Sequence, residues 1–484
     1  MKIAYVSYEV APFAKVGGLA DIAGSLPKYL KKMGEDIFVI MPLHKKIKDN
    51  YDTENFEKIV EEYYPITHNF KEPFHVLKSN LPNSNVPIYF IDSEVFNTEK
   101  VYEDSKLALG STYFSDAVLT FIREIENDVD ILNINDWQTS LIPVYMKHNY
   151  ISDPTLSKIS TVLTIHNLGY QGIFGKDVLD LANLPGYLYN PDALEFFGDI
   201  NFLKGAILYS DVINTVSKTY AEEIQSPEMG EKLDGVLRIR SDNLYGILNG
   251  LDYEENDPKN DDRIFNNIHN FEDKKRNKLQ LQEFLGLEKN EGRPVISLIS
   301  RLYDQKGLDL ISDIMDYVMM LDVNFVVLGT GDEKYENYFK ELEKRYPGKV
   351  SANIKFDVDL AQKIYAGSDI FLMPSKYEPC GLGQMFSMRY GTVPVVRYTG
   401  GLSDTVIEFN EKTNKGNGFG FYEYGSCKLL KSILKATFYY KMKPEKWKVL
   451  FNNCMKQNFS MESTASQYRD LYKMAIAKKR GAQY

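Results

Sequence analysis

The sequence predicts an α/β chain of two domains, each built on a parallel sheet covered by helices on both faces. Three observations carry that expectation. At 484 residues the chain exceeds the size at which a single hydrophobic core stops growing, so two domains are the default. Short, near-continuous apolar runs alternate with longer stretches of helical periodicity, as in strands buried on both faces. That alternation occurs twice, on either side of a polar segment, 252–292, containing YEENDPKNDDR and EDKKRNK.

In the first series, 2–8 and 37–41 read as strands. Between them Leu19, Ala23, Leu26, Leu30 and Met33 recur at helical spacing, and Pro27 inside that pattern predicts a kink or a late helix start. Further strands are expected at 87–91, 129–134, 160–165, 211–216 and 245–248, with helices at 107–127, 137–148 and 192–209. The polar segment reads as a crossing between domains with a short helix near 272–285. The second series has strands at 295–300, 324–329, 350–356, 369–373 and 392–396. Its helices are expected near 307–320, 333–345, 359–366, 382–390 and 402–409. Residues 426–478 read as mainly helical, broken near Pro444.

Hydrophobic residues make up 44% and charged residues 26% of the chain, an ordinary composition for a soluble, well-packed protein. The formal net charge of -10 argues against a nucleic-acid partner, because no basic excess offsets phosphate repulsion. It still allows Lys and Arg to gather around a small anion. Three cysteines, Cys380, Cys427 and Cys454, are too few and scattered for a disulfide framework or zinc cluster, so a reducing, cytoplasmic setting is expected. The amino terminus has no signal-peptide pattern. No window reaches the roughly 18 apolar residues of a membrane span.

In open parallel sheets the ligand crevice lies beyond the carboxyl ends of the strands, and every notable polar cluster here follows such a strand. KVGGLAD, 15–21, follows the first. Its glycines let backbone N–H groups approach an anion at a helix start, and Lys15 adds charge; a tight turn with a solvent-facing lysine accounts for it equally well. Lacking GxGxxG, it does not point to a nicotinamide or flavin cofactor. INDWQTS, 134–140, offers Asp136 as a helix cap or sugar-hydroxyl acceptor. TIHNLGYQG, 164–172, offers His166 and Asn167 in a glycine-bent loop, where a structural imidazole is the simpler reading of the histidine alone. His166, Asp136 and Asp21 lack the spacing of a metal site.

SRLYDQKG, 300–307, places Arg301 and Lys306 around a bend before a helix, a combination suited to a diphosphate leaving group; a solvated basic pair has equal weight. LGTGDE, 328–333, reads as a glycine turn. MPSKYEPCGLGQ, 373–384, combines Ser375, Glu378, Pro379, Cys380, Gly381 and Gln384. Glu378 can accept sugar hydroxyls there, and backbone N–H groups around Gly381–Gly383 can face a donor. A Cys380–His166 nucleophilic pair lacks an orienting partner. YTGGLSDTV, 398–406, adds Gly400, Gly401 and Asp404 to the same rim.

Taken in order, KVGGLAD, NDWQT at 135–139, TIHNLGYQG, NGLD at 249–252, SRLYDQKG, PSKYEPCGLGQ and TGGLSDTV make the chain resemble the glycogen/starch synthase family of retaining glucosyltransferases. The resemblance implies a GT-B type fold, two Rossmann-like domains facing a deep interdomain cleft. It implies an acceptor-side domain over 1–250, a nucleotide-sugar domain over 251–455 and a terminal helix, 456–484, returning to the first domain. The implied reaction is transfer of glucose from ADP-glucose to the non-reducing end of glycogen or a maltooligosaccharide, with retention and with neither cofactor nor metal. The implied roles put Arg301 and Lys306 on the departing diphosphate, His166 on the donor glucose and Glu378 on its hydroxyls, with Asn249 helping to position the glucose. Lys15 faces the donor phosphate or the distal nucleotide side. Gly17, Gly18, Asp21, Asp136, Asn167, Cys380, Gly381, Leu382, Thr399, Gly400 and Gly401 complete the expected substrate set.

Four positions depart from the family pattern. Histidine is common where Asn133 and Gln362 stand, tryptophan where Met461 stands, and a basic residue where Tyr398 stands. Asn133 and Tyr398 are expected to alter acceptor or nucleotide-side contacts, and Met461 the packing of the terminal helix. A UDP-sugar transferase and a noncatalytic glucan-binding protein are the alternatives; the second is opposed by the presence of Arg301, Lys306 and Glu378. A glycoside hydrolase lacks a placeable carboxylate pair. A homo-oligomer is compatible with the sequence.

Overall fold

The computed structural model describes residues 1–66 and 70–481; 482–484, at the end of the expected terminal segment, lie outside the described residues. Contacts divide the chain into two units, one of residues 1–250 with the chain from Met461 onward, the other Leu251–Ser460.

The first unit carries a nine-stranded sheet in the order Leu244–Gly246, Val212–Thr215, Ser160–Ile165, Ile131–Asn135, Lys2–Val6, Asp36–Pro42, Pro87–Asp92, Phe74–Asn80, Glu57–Tyr63. The first seven strands run parallel and the last two antiparallel. Ile131–Asn135 and Ser160–Ile165 are buried at every position, as strands covered on both faces must be. The helix Met461–Lys479 docks on this unit. Met461, Ala465, Tyr468, Leu471, Tyr472 and Ala475, at helical spacing, join its core. Thr464 donates to the Leu248 carbonyl at 2.8 Å, and the Tyr472 hydroxyl donates to Asn133 Oδ1 at 2.7 Å.

The second unit carries six parallel strands in the order Val350–Asn353, Asn324–Leu328, Val295–Ile299, Ile370–Met373, Val393–Arg397, Phe419–Phe421. Its chain closes on itself where the Leu251 N–H bonds the Phe459 carbonyl at 2.7 Å. The unit therefore ends at Ser460, and the terminal helix starts at Met461 rather than 456.

Several elements differ from expectation. The helix Gly18–Lys32 starts early and runs through Pro27. Its Gly24 lies against Ala11, where a Cβ would come within 2.5 Å of the Ala11 carbonyl oxygen. The helix expected over 192–209 begins only at Phe202, capped by Asn201 Oδ1 on the Lys204 N–H at 2.9 Å. Before it, Glu195–Phe196 and Asp199–Asn201 form a hairpin in a small antiparallel sheet with Ile173–Phe174. The edge strand Glu57–Tyr63 and its neighbour Phe74–Asn80 mix exposed and buried residues and escape a reading based on apolar runs. The helix expected over 402–409 is Gly400–Thr405, after which the Ile407 N–H turns to Asn417 Oδ1 at 2.7 Å.

Candidate active site

In the first unit the site lies at the carboxyl ends of Lys2–Val6, Ile131–Asn135 and Ser160–Ile165. Asp136 adopts a left-handed backbone, φ 55°, a conformation non-glycine residues rarely hold and one that collects at functional sites. Its Oδ1 accepts the His166 N–H at 2.7 Å, and the Asn167 N–H also bonds its carboxylate. Burial pushes the Asp136 carboxyl up to about 7, the nearby Glu9 carboxylate adding to the rise. Burial holds His166 down at about 3, so the ring is neutral. Its Nε2 lies 2.9 Å from Asn135 Oδ1. The Asn135 amide nitrogen already donates to the Val6 carbonyl at 2.9 Å, so Oδ1 is the acceptor and Nε2 carries the proton. His166 Nδ1 is thus left as the acceptor nitrogen.

The glycine loop holds a residue that the sequence reading missed. Glu9, 3% exposed, accepts the N–H groups of Val16 at 2.5 Å and Gly17 at 3.1 Å. The loop was expected to offer such donors to an incoming anion. In the structure Gly17 has spent its N–H on an internal carboxylate, because the buried Glu9 oxygen needs donors and the turn supplies two. Burial raises the Glu9 pKa against those two bonds. The only sequence signal was an acid directly after an apolar strand. Lys15 pairs with Asp21 at 2.6 Å, both partly exposed, and Gly18 is exposed. Asn249 is buried, and its Oδ1 has no hydrogen-bond partner among the described residues. Asn133 is fully buried, bonded to Tyr472 and, at 3.3 Å, to Thr164. The contacts expected of it with acceptor or nucleotide are corrected to a tie between sheet and terminal helix.

In the second unit three loops interlock. Gly307, φ 70°, lies against the 374–378 loop, where a Cβ would come within 2.1 Å of the Pro374 carbonyl oxygen. The Lys376 N–H donates to the Gln305 carbonyl at 2.8 Å. Gly400 and Gly401 press on the same loop from the other side; their Cβ atoms would lie 2.1 Å from the Glu378 and 1.9 Å from the Cys380 carbonyl oxygens. Only glycine permits such backbone approach. Arg397, which the sequence reading did not single out, donates to the Lys376 carbonyl at 2.6 Å; its one signal was a basic residue closing an apolar strand.

Lys306 Nζ and Ser375 Oγ thereby meet Glu378 Oε2 at 2.7 and 2.9 Å. Gln384 donates to the Gly381 carbonyl at 2.8 Å. Cys380 and Thr399 are buried and Leu382 half-buried. Arg301 is not drawn into this cluster: it is exposed, its guanidinium 5.8 Å from the Tyr303 ring centre. Tyr398 donates to Glu408 at 3.0 Å. Among the described residues no three His, Cys, Asp or Glu side chains form a metal-binding group.

Two parallel-sheet units with polar loops at the carboxyl ends of their strands define a glycosyltransferase of GT-B type. Residues 2–239 match the family described as starch synthase catalytic domain, and residues 280–436 that described as glycosyl transferases group 1. The chain is 58% identical to a glycogen synthase of Petrotoga mobilis, over 99% of this chain and 100% of that protein. It is 55% identical to one of Thermotoga maritima, over 99% of each. Among solved structures, the catalytic domain of starch synthase IV from Arabidopsis thaliana, bound to ADP and acarbose, superposes with a TM-score of 0.89 at 31% identity, covering 98% of this chain and 99% of that one. Sucrose-phosphate synthase from Thermosynechococcus elongatus, at 16% identity and a TM-score of 0.62 over 99% of each chain, shares the fold. The chain belongs to the glycogen synthase family.

Proposed function

We infer that this chain lengthens an α-1,4-glucan, transferring glucose from ADP-glucose to the non-reducing end with retention of configuration and releasing ADP. The observation that carries the reading is full-length identity to glycogen synthases in a chain whose loops aim Lys306 and Glu378 at one point.

The bond from the anomeric carbon to the diphosphate breaks with its electron pair leaving on phosphate. The acceptor hydroxyl oxygen bonds the same face of that carbon, and its proton passes to the departing phosphate. Negative charge grows on the diphosphate, where Lys306 and Arg301 act. An ammonium carries three donors; Glu378 takes one of those of Lys306 and leaves two for phosphate. The loss of one such donor costs roughly 3–4 kcal/mol, or about 10²–10³ in rate. Glu378 also accepts from donor-sugar hydroxyls. Asn249 Oδ1, buried and unsatisfied, and His166 Nδ1 are acceptors suited to glucose hydroxyls, Asn167 and Asp136 shaping that loop.

The second unit is the nucleotide-sugar side and the first the acceptor side. Lys15 approaches the donor phosphate or the distal nucleotide side, Gly18 and Asp21 belong to the substrate-binding set, and Cys380, Gly381, Leu382, Thr399, Gly400 and Gly401 line the donor seat. Among the described residues no helix is long and apolar enough to cross a membrane. We further propose cytoplasmic action without nucleic acid or membrane, by a monomer or a homo-oligomer. The test offers ADP-glucose and UDP-glucose separately with glycogen and with maltotriose, reading product linkage and anomeric configuration. Transfer from ADP-glucose is expected; transfer from neither donor overturns the reading.

A further inference from the structure

The hairpin joining Glu195–Phe196 to Asp199–Asn201 turns on two residues, Phe197 and Gly198, with φ 54° and 95°. That is the geometry of a type I′ turn, whose first position ordinarily takes Asn, Asp or Gly. Here a phenylalanine occupies it, in a backbone region bulky side chains avoid, with 76% of its surface exposed. Neither the local conformation nor burial accounts for Phe197. Opposite it, Glu231 and Lys232 also hold positive φ, 48° and 66°, and the exposed Lys232 ammonium lies 5.1 Å from the Phe197 ring centre. The Phe197 ring, edge-on to Phe196 at 4.8 Å between centres, thus stays exposed beside a cation, with three non-glycine residues of positive φ in the two turns, a combination that marks a ligand clamp more readily than a scaffold.

This hairpin is continuous with the candidate site. The loop beginning at His166 carries exposed Tyr170 and then buried Gln171. Gln171 donates to the Glu231 carbonyl at 3.0 Å and accepts from Asn201 at 2.6 Å. Gly172 and Phe174 rest on Trp137: a Cβ on the glycine would come within 2.3 Å of that ring, and the Phe174 ring centre lies 5.6 Å away. The site loop, the hairpin and the 226–232 turn therefore form one hydrogen-bonded body.

We propose that Phe197 and Lys232 form a glucan-holding subsite of the first unit, which binds a stretch of the acceptor chain beyond the residues that react. The occupant follows from the chemistry. One face of a glucose ring presents C–H bonds that pack on an aromatic ring, while its rim of hydroxyls suits an ammonium and the exposed Asp199. A long α-1,4-glucan has many sugar residues beyond its reacting end to occupy such a subsite, and a trisaccharide has few. The proposal rests on the glucan-synthase reading above.

F197N tests it, because Asn-Gly is the favoured I′ turn and the hairpin is expected to fold at least as well. KM for glycogen is expected to rise about 3- to 10-fold, with KM for maltotriose, KM for ADP-glucose and kcat unchanged and Tm equal or higher. F197Y, which keeps a ring, should restore glycogen KM. Retardation in glycogen-containing native gels reads binding without turnover and should weaken in F197N. An F197N enzyme with wild-type glycogen KM and retardation overturns the subsite, as does an equal loss with maltotriose and glycogen. If the wild type transfers nothing from ADP-glucose, the functional reading fails, and gel retardation still decides for or against the subsite.

Discussion

Lys306 Nζ lies 2.7 Å from Glu378 Oε2, with the two side chains only 15% and 9% exposed. The pair forms because glycines on two loops let both press on the 374–380 loop, close enough for residues 72 positions apart to meet. A nearly buried ion pair is weak evidence of stability, yet breaking it by removing one partner costs about 3–5 kcal/mol. K306A is therefore expected to lower Tm and to reduce turnover about 10²–10³-fold. The double variant K306A/E378Q removes the stranded carboxylate as well. Its Tm should return toward wild type while its turnover stays low. Near-normal turnover in K306A, or no recovery of Tm in the double variant, refutes this account of the pair.

Much of this arrangement was legible in the sequence, and the limits are physical. Strands buried on both faces announce themselves as apolar runs, as VISLI at Val295–Ile299 does. Edge strands such as Glu57–Tyr63 bury too little to be read that way. The motifs named Lys306 and Glu378 separately; their contact depends on how close Gly307, Gly400 and Gly401 let the loops come, which spacing does not encode. Glu9 and Tyr472 were missed for a related reason. Each acts on a partner set by tertiary packing, Gly17 in one case and Asn133 in the other.

The bond from Glu9 to the loop has its own consequence. E9A leaves the Val16 and Gly17 N–H groups without their acceptor, at less than the roughly 1–3 kcal/mol of a fully buried donor left unpaired, because both residues are partly exposed. E9Q keeps a carbonyl oxygen in reach. Amide exchange at Val16 and Gly17 should accelerate in E9A and stay near wild type in E9Q, with KM for ADP-glucose rising in E9A. Unchanged exchange in E9A defeats the assignment of Glu9 as the acceptor that shapes this loop.

Asn133 Oδ1 and the Tyr472 hydroxyl, 2.7 Å apart and both fully buried, tie the terminal helix to the sheet. Y472F leaves that Oδ1 without its donor and should destabilise the protein by about 1–3 kcal/mol, read as a lower denaturant midpoint. Substrate KM values should stay within about twofold. A large change in KM without loss of stability would return Asn133 to a substrate-contacting role.

Asp136 and His166 should tilt the pH dependence of stability in opposite directions. Burial raises the Asp136 pKa from 3.8 to about 7, so the folded state binds a proton that the unfolded state has released. Its contribution is fullest below the unfolded value and is lost as pH rises to 7. Burial lowers His166 from 6.5 to about 3. Its contribution is fullest above the unfolded value and is lost as pH falls through that range. In wild type the two slopes oppose each other between roughly pH 4 and 6.5. Removing Asp136 takes away the falling slope, so Tm of D136N minus Tm of wild type should grow as pH rises from about 4 to 7. H166N keeps the backbone N–H that bonds Asp136, and Tm of H166N minus Tm of wild type should fall as pH rises from about 3 to 6.5. Thermal unfolding across these buffers measures both. A difference that is flat with pH for either variant means that the residue does not titrate as its burial dictates.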